Sequence, residues 1–88
     1  MDQGIVMYST TWCGDCRRAK RVMDQLDVDY REVNIDVDET AAAHVVELNG
    51  GSRSVPTIVF PDGDILVEPS NAALTQKLVE AGFVTAQG

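Results

Sequence analysis

Apolar and polar positions along the chain fall into blocks whose period changes from one block to the next. Ile5, Val6, Met7 and Tyr8 follow one another with no polar alternation, the pattern of a strand covered on both faces. Ala19, Val22, Met23 and Leu26 then recur at helical spacing and draw one apolar stripe along a helix from about Cys13 to Leu26. Tyr30 to Ile35 returns to strand character, with Val33 and Ile35 on one side. A helix between two strands predicts that they lie parallel, joined by a right-handed crossover.

Asp38 is placed to cap a second helix, with Ala41, Ala42, Val45, Val46 and Leu48 inward and Gly50-Gly51 at its end. Thr57 to Phe60 forms a third strand, and the turn residues Pro61-Asp62-Gly63 lead into Ile65-Leu66-Val67. So short a connection makes these last two strands antiparallel. Ser70 or Asn71 caps a final helix with Leu74, Leu78 and Ala81 inside and Gly82 past its end. The order strand, helix, strand, helix, strand, strand, helix is an α/β arrangement without repeats, low-complexity tracts or linkers.

At 88 residues and 44% hydrophobic content the chain is expected to be one folded domain over 1–88 with a single core. Its apolar start is short and has no basic residue before it, so neither a signal peptide nor a membrane span is expected, and the reading is cytoplasmic. A net charge of −7 argues against general nucleic-acid binding. Two cysteines are too few for a disulfide scaffold, since small secreted domains of that kind usually carry at least four.

Those two cysteines are Cys13 and Cys16, in Cys13-Gly14-Asp15-Cys16, where the first strand gives way to the first helix. Thiols at this spacing can close a small disulfide ring. The helix start adds unsatisfied N–H groups and partial positive charge that stabilise a thiolate. Cys13 is expected to be the nucleophile, titrating below the free-cysteine value of about 8.5, and Cys16, one turn deeper on the apolar stripe, the resolving thiol. Zinc or a structural disulfide are the other uses of such a pair, but two protein ligands do not close a zinc site. Arg17, Arg18, Lys20 and Arg21 are either a solvated helix face or a means of lowering the thiolate pKa and drawing in an anionic thiol. His44, with no second ligand at useful spacing, reads as a surface histidine.

With Trp12-Cys13-Gly14-Asp15-Cys16 after the first strand and Ser54-Val55-Pro56-Thr57 opening the third, the sequence resembles the glutaredoxins over about residues 4 to 82. Within that family it is most similar to the mycoredoxins, through Thr10 to Gly14, Asn49-Gly50-Gly51 with Arg53, and Pro69-Ser70. The resemblance implies a thioredoxin-like fold with a four-stranded mixed sheet and three helices. It also implies thiol-disulfide oxidoreductase activity, and a cis Val55-Pro56 bond facing the cysteines. Trp12, Arg53, Val55, Pro56, Ser70 and Asn71 become the expected substrate-binding residues, Trp12 packing over the site and Arg53 clamping a carboxylate.

Two departures from the family pattern stand out. Asp15 follows Gly14 where tyrosine is common, and its charge opposes part of the thiolate stabilisation. Val67-Glu68-Pro69-Ser70-Asn71 stands where many glutaredoxins place a Gly-Gly pair that binds a glutathione carboxylate. The expected co-substrate is therefore a different low-molecular-weight thiol, mycothiol-like, with no tightly bound cofactor. Expected partners are proteins with mixed or internal disulfides, and the chain is expected to be a monomer. The alternatives are a redoxin fed by a flavoprotein reductase and supplying ribonucleotide reductase or other targets, and an iron-sulfur module sharing a cluster across a dimer.

Overall fold

The computed structural model describes residues 4–84. Its elements are β1 (Ile5–Ser9), α1 (Gly14–Gln25), β2 (Tyr30–Asn34), α2 (Glu39–Leu48), β3 (Thr57–Val59), β4 (Ile65–Val67) and α3 (Asn71–Glu80). The sheet runs in the order β2-β1-β3-β4, with β1 and β2 parallel and the other pairs antiparallel. This is the α/β arrangement expected from the order of elements, in the thioredoxin-like form that the resemblance implied. β2 and β3 each stop one residue short of the sequence reading, although the ladder contacts continue: Ile35 N–H donates to Ser9 O and Phe60 N–H to Asp64 O, both at 2.9 Å.

Helices cover the two faces unequally. Ile5, Met7 and Ile58 point to the side where Ala19 and Met23 of α1 meet Leu74 and Leu78 of α3, and these residues are buried with Val28 and Phe60 in the main core. On the other face α2 alone supplies Ala42 and Val45, which pack with Ile35 against Tyr8 and Val55. The uninterrupted apolar run of β1 is thus fully buried on one side only, with Val6 and Tyr8 half-covered. One helix cannot shield what two shield opposite.

Local chemistry sets the ends of the elements. Asp38 and Ser70 are the caps of α2 and α3, accepting from Ala41 N–H and Ala73 N–H at 3.0 Å each. After α1 the chain turns at Asp27, whose φ of 59° is the left-handed conformation usually left to glycine. Gly50, at φ 66°, does the same after α2. Tyr30, at the start of β2, has its phenol pushed up to about 12 by burial and then by Asp24, which accepts its hydroxyl proton at 3.3 Å.

Lys77 of α3 holds the β3–β4 turn: its ammonium donates to Asp62 at 2.8 Å and Asp64 at 2.6 Å and lies 5.2 Å from the centre of the Phe60 ring. Bonding to Lys77 keeps the Asp62 carboxyl below the usual carboxylate range, and bonding to Asp62 and then Asp64 raises Lys77. A lowered carboxyl contributes stability that is present at neutral pH and lost as pH falls through its folded value. Lys77→Met is therefore expected to melt lower than the parent at neutral pH, with the gap narrowing in acid as Asp62 is protonated. Thermal melts across that range check this.

Candidate functional site

The site forms where the β1–α1 loop meets the strand-start loop before β3. Cys13 is the N-cap of α1, with extended backbone (φ −86°, ψ 112°), and its Sγ accepts from Cys16 N–H at 3.0 Å. The cap thus takes over one helix-start donor with a sulfur atom, which favours negative charge there. The two cysteines are joined as a disulfide, with Cα atoms 5.2 Å apart. Cys13 is the more accessible, at 7% against 1% for Cys16, yet it is more enclosed than an open surface nucleophile.

Opposite the pair lies the cis Val55-Pro56 bond, as the resemblance implied. Cys13 Sγ is 3.9 Å from the Val55 carbonyl oxygen. This loop is tied down from behind. Asn49, past the end of α2, donates through Nδ2 to Thr57 Oγ1 at 3.0 Å, and that hydroxyl donates to Ser54 O at 2.8 Å. The loop bearing Trp12 is held at two points, by Asn34 Nδ2 to Thr11 Oγ1 at 2.9 Å and by Arg17 to Thr11 O at 3.3 Å. Trp12 itself is 73% exposed. It stands beside Cys13 as a projecting ring and does not form a closed cover.

The remaining expected binding residues fall into two separate groups. Ser70 and Asn71 lie at the start of α3, where Asn71 Oδ1 accepts from Arg18 Nη1 at 3.1 Å. Arg18 also bonds Asp15 at 3.2 Å and Pro69 O at 3.5 Å, so one guanidinium joins the dithiol helix to α3. Arg53 instead faces the β2–α2 loop, donating through Nη2 to Asp36 at 3.3 Å and Ile35 O at 3.4 Å. It borders a groove of about 470 Å³ that also carries Glu39. A carboxylate clamp there has two resident acids as competitors.

Three of the four basic residues of α1 thus have structural partners: Arg17 on Thr11, Arg18 on Asp15 and Asn71, and Lys20 on Glu32 at 3.1 Å. Arg21 stays exposed. Asp15 sits beside the dithiol with its charge shared by Arg18, which weakens its opposition to a thiolate. His44 is half-exposed, its ring 5.9 Å from Tyr8 in an edge contact. Among the described residues no group of three or more His, Cys, Asp or Glu is arranged to hold a metal ion.

Two site features escaped the sequence reading. Glu68 adopts φ 48°, left-handed and strained for a residue with a side chain, and its N–H donates to Pro56 O at 2.9 Å. Its place before Pro69, in the stretch where the family often has glycines, was the available signal. Glu32 carried no local signal at all, because its partners Ser9 and Lys20 lie on other elements.

A helix-capping dithiol facing a cis-proline loop on this sheet defines a thioredoxin-fold thiol-disulfide protein. The glutaredoxin family model matches residues 5–66. A glutaredoxin homologue of Mycobacterium tuberculosis is 41% identical over 76 residues, 86% of this chain and 90% of its own. Mycoredoxin 1 of Corynebacterium glutamicum is 32% identical over 74 residues, 84% and 91% of the two chains. Among solved structures, glutaredoxin from Methanosarcina mazei superposes with a TM-score of 0.70 at 26% identity, covering 91% of this chain and 79% of that one. The buckwheat glutaredoxin–glutathione complex gives 0.69 at 25%, covering 93% and 82%. The chain belongs to the glutaredoxin family and is a thiol-disulfide oxidoreductase carrying the Cys13–Cys16 pair.

Proposed function

We propose that this enzyme reduces mixed disulfides between proteins and a sugar-containing low-molecular-weight thiol of the mycothiol type. Cys13 is the nucleophile: its thiolate attacks the mixed disulfide, releases the protein thiol and takes up the small thiol. Either a second small thiol clears Cys13 or Cys16 does so, leaving the internal disulfide. The chain acts as one cytoplasmic domain, as a monomer, with the thiol as co-substrate.

The observation that carries the choice of thiol is Glu68. It places an exposed acidic residue two positions before the Ser70 cap, where many glutaredoxins receive the glutathione carboxylate on a Gly-Gly pair. Like charge disfavours that carboxylate, while Ser70, Asn71 and the helix start offer hydroxyl, amide and N–H groups suited to sugar hydroxyls. The name of the Corynebacterium relative, mycoredoxin 1, is consistent with this reading.

The test compares turnover on one model protein bearing either a mycothiol or a glutathione mixed disulfide, each with its matching thiol as reductant. The sugar thiol is expected to be favoured by about tenfold, equivalent to about 1.4 kcal/mol. Glu68→Gly should narrow that gap by improving glutathione, and Arg53→Ala should lower the sugar-thiol rate if Arg53 shares itself between Asp36 and the substrate. Equal or better wild-type rates with glutathione overturn the thiol assignment. A second reading, direct reduction of protein disulfides with electrons from a flavoprotein reductase, is favoured by Cys16 being placed to close the internal bond. Turnover sustained by reductase alone would select it.

A further inference from the structure

A surface cavity of about 310 Å³ is bordered by Thr10, Cys16, Arg17, Lys20, Glu32 and Asn34. Glu32 is fixed in it from two elements: Ser9, 1% exposed, donates its hydroxyl to Oε2 at 2.7 Å, and Lys20 Nζ lies 3.1 Å from Oε1. Each carboxylate oxygen retains lone-pair capacity beyond that one contact. The Glu32 side chain is 34% exposed, so solvent reaches it. Thr10, which borders the same cavity, carries the buried side-chain oxygen that has no hydrogen-bond partner among the described residues. A hydroxyl in that position can accept one proton and donate another.

Cys16 needs such a proton outlet. The helix-start N–H that favours a thiolate is directed at Cys13 Sγ, and its donor is Cys16's own amide. Cys16 is buried, which disfavours its charged form. We propose that Glu32 is the proton acceptor for Cys16 in the resolving step, reached through solvent in this cavity and along the Thr10 hydroxyl. This rests on the reading of Cys16 as resolving thiol. Starting from a target sulfur bonded to Cys13 Sγ, the Cys16 S–H proton passes to the Glu32 carboxylate and the freed electron pair forms the bond to Cys13 Sγ. The bond from Cys13 to the target sulfur breaks, and the target leaves as a thiolate that takes a proton from solvent. Cys16 and Cys13 end oxidised as the disulfide, the target sulfur ends reduced, and Glu32 returns its proton to water.

The reduced full-length protein reacted with 5,5′-dithiobis(2-nitrobenzoate) separates the steps. Attack by Cys13 releases one nitrothiobenzoate, and attack of Cys16 on the resulting mixed disulfide releases a second. Glu32→Gln should leave the first phase unchanged and slow the second by about tenfold or more. Glu32→Asp should recover part of the rate, and added imidazole or formate should restore Glu32→Gln. Coulomb's law alone gives the opposite sign, because removing a negative charge near Cys16 eases its ionisation. A second phase as fast in Glu32→Gln as in the parent overturns the proposal, and so does a slow phase that neither Glu32→Asp nor the added carriers restore. Absence of a second phase in the parent protein is the separate result that removes Cys16 as resolving thiol.

Discussion

Cys13→Ser is expected to reduce turnover on every disulfide substrate to background. Cys16→Ser should keep reduction of small-thiol mixed disulfides and lose most reduction of internal protein disulfides. The asymmetry follows from position. Cys13 caps the helix, receives an amide proton on its sulfur and borders the Val55 carbonyl, so an incoming disulfide meets it first. Cys16 lies one turn in, 1% exposed, where no bulky substrate sulfur can reach it, but within bonding distance of Cys13. A mixed disulfide at Cys13 can be cleared by a free small thiol without Cys16, whereas a tethered protein thiol has no such external competitor. Paired assays with a glutathionylated or mycothiolated protein and with an internally bridged protein separate these outcomes. Activity retained by both single variants would refute the assignment of roles.

Leu78→Ala is expected to produce a large loss of stability. Leu78 is 0% exposed and packs α3 onto the core shared with Met7, Met23 and Ile58. Removing its branched end loses the transfer energy of the deleted groups and leaves a cavity that rigid neighbours fill only in part. Together these cost about 3 kcal/mol. For a chain this short that corresponds to a fall in melting temperature of roughly 12–24 °C, against a total stability of about 5–15 kcal/mol. The comparison variant is Val37→Ala, at an 82% exposed position, where a change within about 0.5 kcal/mol is expected. Urea denaturation of the two, with an unchanged slope, checks the size of the effect. A loss below about 1 kcal/mol for Leu78→Ala would show that α3 contributes little to the core.

The order of elements was legible because each switch of hydrophobic period coincides with a local stop or start signal. Asp38 and Ser70 cap where the pattern turns helical, and Pro61-Asp62-Gly63 turns where two short apolar runs meet. The dithiol was legible for the same reason, since strand, cysteines and helix are neighbours in sequence. Side-chain pairing between distant elements was not. Arg18 reads as one cation in a basic run, and its contacts with Pro69 and Asn71 depend on how α1 leans on α3. Arg53 reads as a clamp until the β2–α2 loop brings Asp36 to it. Burial of β1 was overstated because composition along one strand does not say how many helices lie on each face.

The open side of β3 is closed off by a very short strand. β4 has three residues and is followed at once by a left-handed Glu68 and then Pro69, which has no backbone N–H to offer. At the opposite border, β2 presents the exposed charged pair Arg31-Glu32. Both borders therefore resist templating of a further strand, the usual entry into edge-to-edge aggregation and fibril growth. A sheet protected in this way can pass through repeated cycles of covalent attachment to other proteins without a strand of the attached protein adding to its own.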